Sequence, residues 1–549
     1  MEVNQKNKKI IIVVVSIVMA VVVLVCGILL IRQADSGKTS GVLEVNFTVA
    51  GYGEEYIKEL CDAFTKETGI QVTYTTDDNV TNSAIARFTS YRKNTVDLYF
   101  SMSPCFSIID SARNVGGYEN LFQDLSELYS REVPGKNGAT LRDLVRDDLY
   151  EANLTFEING SENKAYTIPW TTSIEGLICN MKVLENYEIT QIPRTTDEWE
   201  ETLDLIKSGM TTTGKVVAPN KRSNGIISAN NSAYWNFVWP TWWAQYDGLA
   251  AVDKYFAAAP AGATENNYVP DVSALESEGK LVAIEEMSRF IYSGYGYMHP
   301  DTQNKDNLQS QVAFLDGEAA FIPSGSWIET ETALDFYAEN ADISFKIIKT
   351  PVTSRLADKL GITEEELRKA IDYVDGLTTE APLYAGKNQA QSDEITQTIS
   401  NARNIACSGL TAQNKIAIPA YSTEKEEAYQ FVLFYASDIA QEILVKYGIL
   451  SSFGYKADTT QGHHTEFVNS IIDIVDNPNT RLLIMGLRYP MSYKAGLDYT
   501  GHSVFTSATR GFEKLLYDGA SAIDVYNQDI GYYTREWSRM LVKAGYGRQ

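Results

Sequence analysis

Aromatic side chains are the residues of this chain best suited to binding chemistry. It contains 33 tyrosines and 8 tryptophans, and Trp235, Trp239, Trp242 and Trp243 fall within nine residues. A sugar ring offers apolar C–H faces and a fringe of hydroxyls, so aromatic faces and planar polar groups hold it well. Apolar burial contributes roughly 25 cal/mol per Å², and new hydrogen bonds replace those lost to water. A single tryptophan more commonly packs in a core, so this cluster leaves both roles open.

Two segments partly match a phosphate-binding loop and a calcium-binding loop, but neither match is complete. Residues 37–39 mimic the end of a phosphate loop, but Arg32 stands where its first glycine belongs. Residues 301–312 begin like a calcium loop but lack its turn glycine and closing glutamate. His463 and His464 are adjacent in a polar segment and are interpreted as solvated. We expect no metal, no cofactor and no enzymatic activity, although paired glycosidase carboxylates are defined by their separation in space, not in sequence.

The N-terminus predicts an exported chain that is held at the membrane. Residues 10–31 are uncharged and apolar, which is long enough to cross a bilayer, and lysines precede them. We predict a cytoplasmic segment at 1–9, a transmembrane anchor or signal segment at 10–31, a linker at 32–41, and the rest at the extracellular face. Lipoprotein anchoring at Cys26 is the alternative, and Val25 before it is larger than that cleavage expects.

Charge and cysteine content narrow the class of protein. The formal net charge is −24, and residues 1–41 contribute +3, so the exported part carries −27. That sign argues against a nucleic-acid partner, and it is interpreted as a solubility device. The five cysteines form no CxxC pair, so buried free thiols are expected. Some 500 exported residues exceed what one hydrophobic core usually supports, which predicts at least two lobes.

Hydrophobic periodicity predicts an α/β unit at the start of the exported part. Alternation over 43–49 indicates a strand, and helical spacing follows from Glu54 to Gly69. Further elements are expected as a strand at 70–75, a helix at 84–92 and a strand at 96–101. This βαβαβ order is typical of a parallel sheet with helices on its faces.

A second unit of the same class begins after residue 165. Strands are predicted at 166–170 and 176–180, and a helix runs from about Asp197 to Gly209. Thr195 and Glu198 have the spacing of a capping box at its start. Further helices are expected as an inserted surface helix at Glu364–Val374 and in the region after residue 425.

The motifs, taken in order, resemble the carbohydrate-type extracellular solute-binding proteins of ABC importers, the family that includes the maltose-binding protein. The segments that carry the resemblance are Gly51–Thr73, Asp97–Ser101, Tyr166–Asn180, Phe237–Gly248, Ser310–Glu331 and Ile416–Tyr447. Ser101 stands where the maltose-binding protein has a stacking tryptophan, and Pro104 falls near a sugar-binding acid. A maltodextrin ligand is therefore not expected.

The resemblance implies a two-lobed periplasmic-binding-protein-like α/β fold with discontinuous lobes and a hinge. Lobe 1 is expected at 42–165 plus 318–424, and lobe 2 at 166–317 plus 425–549. The implied protein is a monomer that captures a mono- or oligosaccharide by hinge closure and delivers it to importer permease subunits. Two alternatives stay open: a surface-anchored carbohydrate-active enzyme, and a solute sensor subunit for a membrane kinase. A small polar solute other than a sugar also stays open as ligand.

The resemblance further implies ligand binding between the lobes. Trp239, before Pro240, corresponds to a residue that stacks on sugar in the family. The ligand-binding residues implied in this way are Tyr52, Ser103, Trp170, Thr172, Ser173, Glu175, Trp239, Trp242 and Trp327.

Overall fold

The structure is a computed structural model, and it describes most of residues 41–547. The described residues are 41–49, 52–77, 80, 83–84, 95–101, 121–155, 164–264, 268–333, 343–409, 415–457, 464–485, 489–497 and 505–547. The predicted anchor at 10–31, Cys26, Ser103 and most of the helix predicted at 84–92 lie outside them. Within the described ranges, every helix is too short or too polar to cross a bilayer.

Thirteen strands and nineteen α-helices are present in the described ranges. The strands are β1 (Val42–Thr48), β2 (Gln71–Asp77), β3 (Leu98–Ser101), β4 (Leu154–Thr155), β5 (Lys164–Ala165), β6 (Ile168–Pro169), β7 (Glu175–Asn180), β8 (Asn224–Ile226), β9 (Ala319–Gly325), β10 (Phe345–Ile347), β11 (Ile405–Cys407), β12 (Lys415–Ala417) and β13 (Arg481–Leu483). The helices are α1 (Glu55–Thr68), α2 (Ser126–Tyr129), α3 (Leu141–Leu144), α4 (Asp147–Asn153), α5 (Met181–Asn186), α6 (Thr196–Ser208), α7 (Trp239–Asp247), α8 (Leu249–Ala257), α9 (Glu278–Ile291), α10 (Asn307–Leu315), α11 (Arg355–Leu360), α12 (Glu364–Val374), α13 (Gln389–Arg403), α14 (Lys425–Tyr435), α15 (Asp438–Lys446), α16 (Glu466–Val475), α17 (Pro490–Tyr493), α18 (Gly511–Glu513) and α19 (Ala522–Ala544).

Two mixed sheets organise these elements. The first sheet has the order β2-β1-β3-β12-β6, with β1 parallel to β3 and β12 antiparallel to both of its neighbours. The second sheet has the order β13-β11-β7-β9-β8, and β10 also pairs with β7. One hydrophobic core continues from the first sheet through Trp170 and Ile174 to Ile178 and Phe345 of the second. A separate core covers the other face of the second sheet and includes Trp239 and Trp242.

The sheets divide the chain differently from the predicted lobes. β9, β10 and β11, expected in lobe 1, belong to the second sheet, because β9 pairs along the length of β7 from Glu175 to Cys179. Helices α14 and α15, expected in lobe 2, lie against the first sheet, where the ring of Phe431 contacts Phe47 and Phe100. The chain therefore returns to the first sheet at β12, about ninety residues later than the motifs indicated.

Local patterns were more reliable than lobe boundaries. Helix α1 buries one apolar face and ends at Gly69, whose φ of 78° lies in the left-handed region that favours glycine. Helix α12 begins and ends at the predicted residues. In α6, Thr195 accepts the backbone N–H of Glu198, but the Glu198 carboxylate accepts the backbone N–H of Arg194 and forms an ion pair with the Arg194 guanidinium. The reciprocal half of the predicted capping box is therefore replaced by an ion pair.

Candidate functional site

The segment 170–174 carries the chain from β6 in the first sheet to β7 in the second, and every residue of it is buried. Thr171 Oγ1 donates to the Leu450 carbonyl at 2.8 Å, and the Thr172 backbone N–H donates to the same oxygen. Thr172 Oγ1 also lies 3.2 Å from Ser452 Oγ. Thr172, predicted as a ligand donor, thus fastens the crossover to the loop at 449–452. The Trp170 indole N–H is buried without an acceptor among the described residues.

A second passage between the sheets begins at the end of β11. Ser408 Oγ donates to the Ser173 carbonyl at 2.6 Å, and the Gly409 backbone N–H donates to Glu175 Oε2 at 2.6 Å. Glu175 is only 2% exposed. Burial, with the Glu175 carboxylate nearby, raises the pKa of the Cys407 thiol well above its ordinary value. Bonds to a carboxylate are the stronger kind, so Glu175 holds the turn after β11 in place.

A third element ends at the same place. Strand β9 stops at Gly325, and the Ser326 backbone N–H then donates to the Ile174 carbonyl at 3.0 Å. Tyr52, which follows β1, places its hydroxyl 3.4 Å from Ser326 Oγ, and burial raises its pKa to about 12. The Trp327 ring lies directly over the Gly325 backbone, where an added Cβ would meet it at 2.3 Å. Residues that follow strands of both sheets therefore meet here, with Tyr52 after β1 of the first sheet and Trp327 after β9 of the second.

Tyr234, Phe237 and Trp327 form an aromatic cluster beside this convergence. Their ring centroids lie 5.7 to 5.9 Å apart, and Trp327 Nε1 donates to the Tyr234 hydroxyl at 3.2 Å. Tyr234 is half-buried, and Phe237 and Trp327 keep 8% and 5% exposure. The Tyr52 ring packs edge-on against Trp170, with centroids 6.4 Å apart. Sequence reasoning missed Tyr234 and Phe237, because they lie in a 3-10 turn that the tryptophan pattern does not distinguish from α7.

An acidic side chain adjoins the aromatic cluster. Glu331 lies in a π-helical turn after Trp327, and its Oε2 accepts from the Gln311 amide at 2.9 Å. Gln311 is fully buried and accepts from Thr332 Oγ1. The Glu331 residue is exposed to solvent, but the groups around its carboxyl partly desolvate it and raise its pKa. In the sequence, Glu331 is distinguished only as the last residue of the segment 310–331, which carries part of the family resemblance.

The structure separates Trp239 and Trp242 from this place. Trp239 is 2% exposed, stacks on Trp243 with ring planes 8° apart, and donates to Asn236 Oδ1 at 3.2 Å. Trp242 is fully buried, and its indole donates to the Pro351 carbonyl at 3.1 Å. Both indoles are therefore satisfied inside the core of the second sheet. Both pack in this core, because the first seven residues of α7, from Trp239 to Gln245, are all buried.

Six of the nine predicted residues come together: Tyr52, Trp170, Thr172, Ser173, Glu175 and Trp327. The hydrogen bonds that the structure shows for Thr172, Ser173 and Glu175 hold together the segments that connect the two sheets. The aromatic rings here belong to Tyr52, Trp170 and Trp327. Ser103 lies outside the described residues. Across the described ranges, no group of three or more His, Cys, Asp or Glu side chains is arranged to hold a metal ion. The arrangement brings aromatic rings and buried polar groups that follow strands of both sheets to one place.

Comparison with known proteins identifies relatives of the chain. Residues 50–442 match the family model described as "Bacterial extracellular solute-binding protein". Similar solved structures include the sugar-binding protein MalE from Xanthomonas citri, at 13% identity over 91% of this chain and 99% of that chain, with a TM-score of 0.55. Another, from work on xylan utilization by Caldanaerobius polysaccharolyticus, has 12% identity, coverages of 89% and 99%, and a TM-score of 0.55.

The GacH receptor of Streptomyces glaucescens, solved unliganded and with acarbose, is also similar, at 13% identity, coverages of 91% and 98%, and a TM-score of 0.53. At such identities the likeness to solved structures shows a shared fold. No curated protein matches the chain in sequence.

Proposed function

The chain belongs to the bacterial extracellular solute-binding protein family, and we propose that it captures a carbohydrate for an ABC importer. The observation that carries the proposal is the aromatic cluster of Tyr234, Phe237 and Trp327 at the point where both sheets converge. Flat rings bury the apolar faces of a sugar, and adjacent polar groups bind its hydroxyls. The names of the solved relatives, a sugar-binding protein and a receptor studied with acarbose, support the ligand class.

Capture proceeds by closure of two lobes, each built on one sheet. The first lobe comprises 43–169 and 415–457, and the second comprises 175–409 and 464–547. These bounds follow the strand order of the two sheets. Tyr52 approaches the ligand from the first lobe, and the aromatic cluster approaches it from the second. A ligand that contacts both lobes stabilises the closed state by its differential affinity for that state.

The membrane anchor, the permease partner and the monomeric state are proposed from the sequence and the family. An anchor at residues 10–31 holds the protein at the extracellular face, and a permease receives the ligand from a monomer. A carbohydrate-active enzyme or a sensor subunit for a membrane kinase would use the same site differently. An enzyme would release a changed sugar, and a sensor would function without an importer.

A binding screen tests the proposal on the full chain in detergent. A sugar present at 100 times its dissociation constant stabilises the native state by about 2.7 kcal/mol, so a thermal-shift panel of mono- and oligosaccharides should yield a clear hit. For that sugar, Trp327→Ala should cost about 2 kcal/mol of binding energy, which is roughly thirtyfold in affinity. Tyr295→Ala, at an exposed tyrosine outside the site, is the matched control and should bind normally.

Two results would contradict this function. Recovery of a chemically altered sugar after incubation would favour the enzyme, and absence of any shift across the panel would argue against a carbohydrate ligand.

A further inference from the structure

An acidic residue lies one helical turn after Trp327. The Glu331 backbone N–H donates to the Trp327 carbonyl at 2.9 Å. The Glu331 carboxylate also raises the pKa of the Tyr52 and Tyr234 hydroxyls, although burial is the larger cause for each. The carboxylate therefore lies near aromatic residues that the first and second sheets contribute.

Glu331 is held in place but is not neutralised. Its Oε2 accepts the Gln311 amide, and Gln311 is itself fixed by Thr332 and by burial. Oε1 has no hydrogen-bond partner, and Glu331 forms no ion pair within the described part of the chain.

A fixed carboxylate beside aromatic faces has a defined ligand preference. Aromatic rings attract cations through their electron-rich faces, and a carboxylate attracts them by charge. A neutral sugar contacts the rings and can donate hydroxyl hydrogen bonds to the carboxylate, but it leaves this partly desolvated group without a counter-charge. A sugar with a protonated amino group satisfies both. A carboxylate at this position would therefore discriminate between ligands that the rings alone would bind about equally.

We propose that this site prefers amino sugars, with the ligand ammonium group received by the Glu331 carboxylate at the edge of the aromatic cluster of Tyr234, Phe237 and Trp327. This specificity rests on the proposed function. It adds the charge of the ligand, which the fold and the family leave open. Because the attraction is partly electrostatic, added salt should weaken it, whereas binding of a neutral sugar should change little.

Calorimetry on the full chain in detergent tests the specificity. The probes are glucosamine, N-acetylglucosamine and glucose, together with their β-1,4-linked dimers and tetramers, at a pH where the amine is protonated. We expect the amino member of each set to bind at least tenfold more tightly than its two neutral counterparts. Glu331→Gln keeps an acceptor for Gln311 and removes the charge, so it should reduce that preference to twofold or less. Glu442→Gln, an exposed carboxylate change on α15, should preserve the preference.

The possible outcomes test the amino-sugar preference, the role of Glu331 and carbohydrate binding separately. Tighter or equal binding of the neutral sugars would overturn the amino-sugar preference and leave carbohydrate capture intact. A preference that survives Glu331→Gln would overturn the role of that carboxylate. Failure of every one of these sugars to bind a chain that melts cooperatively would overturn this proposal, and absence of any hit in the wider sugar panel as well would overturn the proposed function. The apo melting temperature of Glu331→Gln, expected within a degree or two of the parent protein, separates lost binding from lost folding.

Discussion

Replacing Gly325 by alanine should displace Trp327 and weaken ligand binding. The added Cβ would lie 2.3 Å from Cη2 and Cζ3 of the Trp327 ring and 2.8 Å from Cε3. Real Cβ atoms do not approach other heavy atoms that closely, so the ring must turn away. Trp327 is 5% exposed, and little open space is available to receive it. The Gly325 backbone is extended and any residue can adopt it, so the effect would be purely steric.

The size of the effect can be worked out from these contacts. Overpacking a tightly filled site typically costs about 1–3 kcal/mol of stability. Turning the ring also breaks the Trp327 Nε1 bond to the Tyr234 hydroxyl, which contributes about 1 kcal/mol. Loss of a stacking face costs about 2 kcal/mol of binding, or roughly thirtyfold in affinity. Both the free energy of unfolding and the ligand affinity should therefore fall.

Denaturant unfolding of the apo protein and calorimetry with the sugar found by screening measure the two quantities. Gly531→Ala is the matched control, because Gly531 lies inside α19 and its Cβ would meet only Arg535 at 3.5 Å. Alanine favours a helix over glycine by about 1 kcal/mol, so that variant should be as stable or more stable, with normal affinity. If Gly325→Ala binds normally, the Trp327 face is not part of the ligand contact. If its stability is also unchanged, the ring does not depend on this glycine.

Three other predictions concern charge and packing. Lys280→Met should cost about 3–5 kcal/mol by leaving Asp529 buried without its ion-pair partner, and adding Asp529→Leu should recover most of it in denaturant unfolding. Trp239→Ala should lower stability by about 3–5 kcal/mol and leave sugar affinity nearly unchanged, whereas a large affinity loss in a stable variant would return Trp239 to the binding face. The hydroxyl of Thr213, then Lys215, lowers the pKa of Glu188 from 4.5 to about 2. The stabilisation that the Glu188 carboxylate contributes to the folded protein is therefore full above about pH 4.5 and is lost as pH falls toward 2. An NMR titration midpoint near 4.5 for Glu188 would contradict this contact.

Sequence reasoning succeeded where local chemistry decides the structure. The alternation of β1, the apolar face of α1 and the glycine after it are properties of a few neighbouring residues. The cap of α12, with Thr363 and Glu366 bonded reciprocally, is equally local. Cys61, Cys179 and Cys407 are the buried free thiols that the absence of a CxxC pair predicts.

The sequence could not specify which sheet a strand joins. β9 is buried at every position, and such a run fits either sheet equally well. Its placement beside β7 is a tertiary choice that the motif positions indicated wrongly. The same limit applies to the tryptophans, since spacing does not distinguish Trp239, which stacks inside the core, from Trp327, which lies over a glycine at the site. Tyr234 and Glu331 become candidates only when the fold brings their segments together.

The position of β12 in the first sheet has a consequence for how the protein is made. β12 lies between β3 and β6, yet more than 300 residues separate it from β3 along the chain. At roughly 5–20 residues per second, synthesis exposes the β3 edge on the order of tens of seconds before its partner strand emerges. An unpaired apolar edge invites pairing with other chains. The β3 edge therefore stays open to wrong pairing during synthesis until β12 has been made.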